Sequence, residues 1–470
     1  MPKLYYTKTN QGIYPAYQEH VVHSVDNVVG SNGTVYVYPN GFVPALRPKL
    51  KLEILVGGVS KAVLTKPFDS NQTANFHVQD IIQDFCETDL TEYVASDTDT
   101  DRLQIHKIPK YSKNNNNLQE IEFTAILEYI SSINGNVITQ TQNTAVQAIQ
   151  NSGSGRYNHK KFFWNGTQQH RDGEVLSSDA FVGTASNTAK VLTDFATGST
   201  AVRQKVRKTD YHTVAFFNGT YKRFNTDSDI VAGINHIRLI SYNTAGSSIY
   251  TVIHNNLSSQ GGEAPSAAMT ADNGILYRGV GIQNFVDAGL AAASDFEVGG
   301  YYSIEYRDSS NNVIYEPTFF DVVDENCKGF ETIRLCWVNS LGAWDYYNFD
   351  TRSTRTTDSR RTNFKQDYGF NQDSTFDAYD YNTNQGGLVT FNNEVTQSIE
   401  ANTDFIDETT AATLESLFTS PVVQLQNADG NFENVVVTQK DYVKQTAAND
   451  KVIQYVIEIQ YSHNKTVQRV

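Results

Sequence analysis

Cysteine, basic charge and long apolar runs are all scarce in this sequence, and each shortage closes off a class of protein. Only three cysteines occur in 470 residues, Cys86, Cys327 and Cys336. An odd count without a CxxC pair argues against a disulfide framework or a thiolate metal cluster, so they read as small buried hydrophobes in a reducing compartment. No apolar run approaches the roughly 20 residues a membrane helix needs. The opening, MPKLYYTKTNQGIYP, lacks the apolar core of a signal peptide. The expectation is a chain made in the cytosol, with no membrane partner, that leaves the cell only by a route such as lysis. Lys and Arg number 37 against 52 Asp and Glu, a net charge of -15. Neutralising phosphates requires the opposite balance, so nucleic acid is not an expected partner, and the acidity serves solubility instead.

Catalytic signatures are missing too. The chain has no GxSxG, no HExxH, no phosphate loop and no cysteine beside a base signal, so neither an enzyme nor a cofactor is expected. Asp97, Asp99 and Asp101 alternate in a way that presents oxygens to calcium. The EF-hand glycine and closing glutamate are absent, and the stretch reads as a solvated acidic loop. His20 and His23 lie close together without a second pair at metal-ligand spacing, while His159, His170, His212, His236 and His254 are dispersed.

What the chain does have is aromatic and turn-rich. Tyr (27) and Phe (25) join Val, Thr, Ile and Asn in a strand vocabulary, with few of the Ala, Leu, Glu and Lys runs that make long helices. The length exceeds what one core serves, which predicts several domains. The densest stretch is 331–350, ETIRLCWVNSLGAWDYYNFD. Ile333, Leu335, Trp337 and Asn339 alternate with Arg334, Cys336 and Val338, turn residues follow, and Trp344, Tyr346 and Asn348 alternate with Asp345, Tyr347 and Phe349. That spacing predicts a hairpin with more aromatic surface than an isolated hairpin can bury. Trp337, Trp344, Tyr346, Tyr347 and Phe349 are therefore candidates for packing between sheets or subunits.

Along the rest of the chain, 50–56 and 59–64 flank Gly57-Gly58 as a predicted hairpin. The stretch 75–85, NFHVQDIIQDF, spaces Val78, Ile81, Ile82 and Phe85 as a short amphipathic helix. Strands are predicted at 121–130, 137–139, 161–164, 214–217, 237–240, 249–253, 276–282 and 301–306. Asn-Gly occurs six times and Asp-Gly twice, and each pair supplies the positive φ of a hairpin turn. On that basis the sequons at Asn32, Asn165 and Asn218 read as turns rather than glycan acceptors. Residues 142–155, QNTAVQAIQNSGSG, read as a linker. The predicted order is an N-terminal β-rich domain (1–141), that linker, a central β-sandwich domain (156–320) and a C-terminal β domain (321–470).

Within the last, 351–387 is too long for an ordinary loop. It carries Arg352, Arg355, Arg360 and Arg361, and Phe364, Tyr368, Phe370, Phe376, Tyr379 and Tyr381 as regular anchors. It reads either as disordered or as an extended arm laid on a neighbouring subunit, and the regular anchors favour the arm, with the arginines pairing with acidic groups of the same protein or its neighbour. Asp407 is a predicted cap for a helix bearing Ala411, Leu414, Leu417 and Phe418, ended by Ser420-Pro421. Strands follow at 422–426, 432–438 and 451–461, the last with Ile453, Tyr455, Ile457, Ile459 and Tyr461 inward. The fold class is mainly β: antiparallel sandwich-like or barrel-like domains, two short helices and a long arm.

The aromatic pair around RLCWVNSLGAWDYYNF, the long arm, the helix ending in SLFTSPVVQL and the closing strands together resemble tailed-bacteriophage structural proteins, the virion or tail proteins of marine and Bacteroidetes phages. The resemblance covers mainly 301–470 and brings no catalytic motif. It implies a homo-oligomeric ring or trimer in the tail, neck or baseplate, assembled in the host cytoplasm beside other virion proteins. Two further readings are a tail-tip protein that binds a host surface receptor or glycan through exposed aromatics, and a cell-wall glycan hydrolase. The latter requires two carboxylates facing each other across a groove.

Overall fold

A computed structural model describes residues 3–6, 13–17, 21–25, 34–37, 41–67, 73–95, 102–131, 136–141, 160–167, 180–222, 229–324, 329–366, 370–371, 379–380, 387–439 and 453–465. The protein is mainly β, with several antiparallel sheets and short helices. It divides into two compact units, 1–324 with 338–345, and 325–337 with 346–470.

The first unit holds two cores. In one, a seven-stranded sheet runs in the order Ile13–Tyr17, Lys160–Thr167, Leu118–Ser131, Gly41–Val56 and Thr34–Val37, with Val137–Thr141 and Val59–Pro67 as side branches. It shares its core with the sheet formed by Lys3–Tyr6, Val21–Val25 and Thr73–His77. Leu50, Leu52 and Ile54 alternate inward along one strand and meet Phe76, Val78, Phe123 and Phe163. Val56 and Val59 pair directly, and Gly57 and Gly58 both take positive φ (57° and 79°), which is the two-residue turn expected there.

Residues 75–77 correct the helical reading. They belong to a strand registered against 21–25, with Ala74, Phe76 and Val78 buried at period two. Only Gln79–Gln83 is helical. An available edge overrode a weak helical period over so short a segment.

In the second core, a five-stranded sheet (Gln204–Val206, Val313–Val322, Tyr301–Arg307, His236–Tyr242, Ser248–Asn255) faces a three-stranded one (Thr213–Phe217, Ile275–Gly279, Tyr111–Lys113). Ile237, Leu239, Tyr302, Ile304, Tyr306 and Phe320 meet Tyr111, Val214, Phe216 and Leu276. Tyr111–Lys113 comes from the first predicted domain yet completes a sheet of the second, so 1–141 and 156–320 do not part into separate compact units. The predicted linker 142–155 lies outside the described residues. Ile282, expected at a strand end, instead opens the helix Ile282–Asp287.

None of the three fully described Asn-Gly pairs is a hairpin turn, and Asn273-Gly274 leads from a loop into Ile275–Gly279, which does not pair with the strand before it. Asn165-Gly166 lies inside the strand Lys160–Thr167. Asn218-Gly219 marks where the chain leaves one sheet for another, since Thr213–Phe217 pairs with Ile275–Gly279 and Gly219–Lys222 pairs with Asp229–Ala232. Gly219 takes a positive φ of 100° at this change of sheet, whereas Gly166 stays in the strand, and the dipeptide alone does not say which use it serves.

The second unit is built on an antiparallel sheet of seven strands, in the order Trp344–Phe349, Ile333–Val338, Val423–Gln426, Phe432–Val437, Val456–Tyr461, Gly387–Asn402 and Ser353–Gln366. Asp407 caps the helix Glu408–Thr419 by accepting from Thr410 N at 3.0 Å, and Ala411, Leu414 and Leu417 are buried. Ile453, Tyr455, Ile457 and Ile459 turn inward as their alternation predicted.

Candidate functional site

The aromatic hairpin forms as its spacing predicted, but its aromatics are spent within the chain. Trp337 is fully buried, and its Nε1 donates to Ser416 Oγ of the capped helix at 2.9 Å. Tyr346 is buried beneath the Arg334 guanidinium, 5.0 Å from the ring centroid, and Arg334 Nη1 donates to Asn348 Oδ1 at 2.9 Å. Phe349 is buried and meets half-buried Tyr347 edge-on at 4.9 Å. Trp344 is buried, its Nε1 donating to Asp89 O at 3.0 Å and its ring meeting His106 edge-on at 4.5 Å. As candidates for packing between subunits, Trp337, Trp344, Tyr346 and Phe349 are therefore corrected to core residues. A sheet and a helix of the same chain supply the burial that a lone hairpin lacks.

The turn of this hairpin, 338–345, carries polar groups the spacing did not single out. Asn339 Oδ1 accepts from Leu341 N and Ala343 N, both at 3.0 Å, and so holds the bend. Gly342 has φ 71°, and a side chain there would stand 2.0 Å from Asn165 O. Asp345 accepts from Thr193 Oγ1 (2.6 Å) and Asp194 N (2.9 Å), while Asp194 accepts from Ser340 N (2.9 Å) and Ser340 Oγ (2.5 Å). Burial, reinforced by the charge of Asp194, holds the Asp345 carboxyl well above the usual carboxylate range despite these donors. Asp89, also buried, accepts from Asn115 N and Asn116 N, yet desolvation pushes it up to about 6. Asp345 and Asp89 are both fully enclosed, which suits a structural joint rather than carboxylates facing a substrate across a groove.

Arg278 was also missed by sequence reading. It is wholly buried between Tyr111 and Phe285, its carbon centre 5.4 and 5.1 Å from their ring centroids, and Nη1 donates to Gly279 O. Burial lowers it to about 10. No pattern around Arg278 announces this, because its strand is buried on both faces.

The predicted arm is a strand ladder. Ser353–Gln366 pairs with Gly387–Asn402 over fourteen positions, from Ser353 opposite Ala401 to Gln366 opposite Gly387. The strand Val456–Tyr461 covers only 398–402 on the other side, apart from a bridge between Val395 and Lys465. Beyond that, no other described strand flanks the two, which run on as a ribbon. All residues of Ser353–Gln366 after the first are exposed. Phe364 (45% exposed) meets Phe391 (70%) edge-on at 6.4 Å, and Leu388, opposite Lys365 in the register, is 75% exposed.

Arg355 forms a two-pronged pair with Glu331 (Nε–Oε2 3.0 Å, Nη2–Oε1 2.5 Å) and donates to Tyr461 OH. Arg360 and Arg361 are exposed and have no ion pair or hydrogen bond with described residues. Arg360 stands opposite Glu394 in the register. Phe370 and Tyr379 lie on a further short ladder described by backbone alone. Tyr368, Phe376 and Tyr381 lie outside the described residues.

Among the described residues, no group of three His, Cys, Asp or Glu side chains is placed to hold a metal, and no helix is long and apolar enough to cross a membrane. Asp97, Asp99, Asp101, His20, His159, His170 and Cys327 fall outside them, and His23 has only its backbone described. His212 meets Phe320 edge-on, and His254 stacks on Tyr111. Cys86 and Cys336 are buried free thiols, and burial pushes Cys86 up to about 12 and Cys336 higher, so both stay protonated. Neither a model of any known protein family nor any curated protein sequence matches the chain.

Proposed function

We propose that this protein is a structural subunit that works by assembling with copies of itself, as a component of a bacteriophage tail, neck or baseplate. The observation that carries the assembly reading is the ribbon of the second unit. Isolated two-stranded ribbons are marginal in water, and exposed edge strands are templates for pairing. A ribbon bearing Phe364, Leu388 and Phe391 in the open gains stability when another surface covers it. The virion assignment draws on the resemblance of 301–470 to phage structural proteins. The role is mechanical, with no cofactor and no catalytic step, and other virion proteins are further partners.

Light scattering of the full chain, compared with a variant lacking 357–397, tests assembly. The expected result is a multiple of 52.5 kDa that falls to a monomer when the ribbon is removed. An unchanged oligomer would remove the ribbon from the account. Mass spectrometry of purified phage particles tests the virion assignment, which fails if the chain is absent from them.

Glycan binding is the second reading. It draws on the partly exposed stack of Tyr242 on Tyr301 at 4.5 Å, with Arg203 3.8 Å above Tyr301. A monomer that binds cell-surface glycan would favour it.

A further inference from the structure

The two edges of the ribbon differ in charge, and the difference selects what can pair with each. Ser353–Gln366 carries Arg355, Arg360, Arg361 and Lys365 against Asp358 alone, in a protein of net charge -15. Gly387–Asn402 carries Glu394 and Glu400 and no Lys or Arg. Lys and Arg on an edge strand commonly guard against aggregation, which here means pairing with a like edge. Two copies of Ser353–Gln366 laid side by side would oppose cation to cation. The same charges favour an edge without cations, and one lies on the far side of the ribbon, where the uncovered run 387–394 carries Glu394 and no Lys or Arg. No described strand pairs with 387–394 opposite Ser353–Gln366, and that run spans about 27 Å at strand rise.

We infer that the basic edge, Ser353–Gln366, of one copy pairs with the edge 387–394, which bears Glu394 and no cation, of a second copy of this chain. This rests on the reading above that the chain self-assembles, and it names the two surfaces that meet. Strand direction fits. The two strands of one ribbon are antiparallel, so copies related by rotation about an axis parallel to the ribbon and displaced from it bring a Ser353–Gln366 edge beside an antiparallel 387–394 edge. Because the two surfaces differ, the contact is head-to-tail, and repetition closes a ring of ribbons in which no edge strand is left open. Leu388 and Phe391 on the acidic strand and Phe364 on the basic one supply apolar area to the seam.

Charge reversal of the full chain tests this, because every residue changed lies on the ribbon outside the sheet's core. One variant carries Arg360→Glu, Arg361→Glu and Lys365→Glu, and the other carries Glu394→Lys. Far-UV circular dichroism should match the wild type for both. By analytical ultracentrifugation, each variant alone should associate at least tenfold more weakly. A 1:1 mixture should recover association, since the reversed basic edge then meets the edge that carries Glu394→Lys.

If Glu394→Lys leaves association unchanged, or the mixture fails to recover, the pairing inferred here is overturned while self-assembly by another surface stands. A wild type that stays monomeric at every concentration overturns both.

Discussion

Two successive hairpins of the second unit's sheet, 333–349 and 353–402, sit at its opposite ends and illustrate opposite uses of a strand pair. The first is dense in aromatics, and nearly all its residues are buried on both faces. The second is long, built from Thr, Ser, Asn and Arg, and exposed along most of its length. Aromatic density therefore marked the core, whereas the plainer text beside it is the exposed part. A side chain already buried in its own fold has little left to offer another molecule, while a ribbon exposed on both faces keeps its side chains in solvent.

The contrast can be broken most forcefully at Trp337. Trp337→Ala removes a fully buried ring and its bond to Ser416, and should cost about 3–5 kcal/mol, read as loss of the second unit's cooperative unfolding transition. Next comes Gly342→Ala. Its positive φ alone costs about 1–3 kcal/mol, and the new methyl also meets Asn165 O, so a drop in melting temperature is expected.

Asp89→Asn probes pH. With the folded pKa raised above its unfolded value, the native state binds more protons than the unfolded chain between about pH 4 and 6. Asp89 therefore weakens stability as pH rises through that window, by at most about 1.4 kcal/mol per pH unit. The Asn variant should lose this slope, so that its stability relative to wild type increases from pH 4 to pH 7 in denaturant titrations. The smallest effect on folding is expected from Phe364→Ser, within about 0.5 kcal/mol for an exposed position, although the same change should weaken association measurably by sedimentation. If Phe364→Ser instead unfolds the unit, the ribbon belongs to the core and the contrast disappears.

Much of the β architecture was legible because one buried face leaves a period of two. The strand residues 50–56 show it in Leu50, Leu52 and Ile54, and the strand Val456–Tyr461 with the residues leading into it shows it in Ile453, Tyr455, Ile457 and Ile459. Asp407 announced its helix because capping is local chemistry. The ribbon was read as an arm without strands for the converse reason: with both faces in solvent, STRTTDSRRTNFKQ has no apolar alternation to display. Residues 75–77 were misassigned because their strand partner lies some fifty residues away, at 21–25. Asp345, Asp194 and Asp89 were invisible as a group, since their burial depends on loops brought together from 89, 193–194 and 340–345.

The first unit is not one continuous run of sequence. It takes in 338–345 after the chain has already entered the second. Cutting the gene at 324 would thus deprive the N-terminal fragment of Asn339, Ser340 and Asp345, and leave Asp194 without the Ser340 donors and Thr193 Oγ1 without its acceptor. The two units are separable as compact bodies but not as polypeptides, so selection acts on them as one heritable piece.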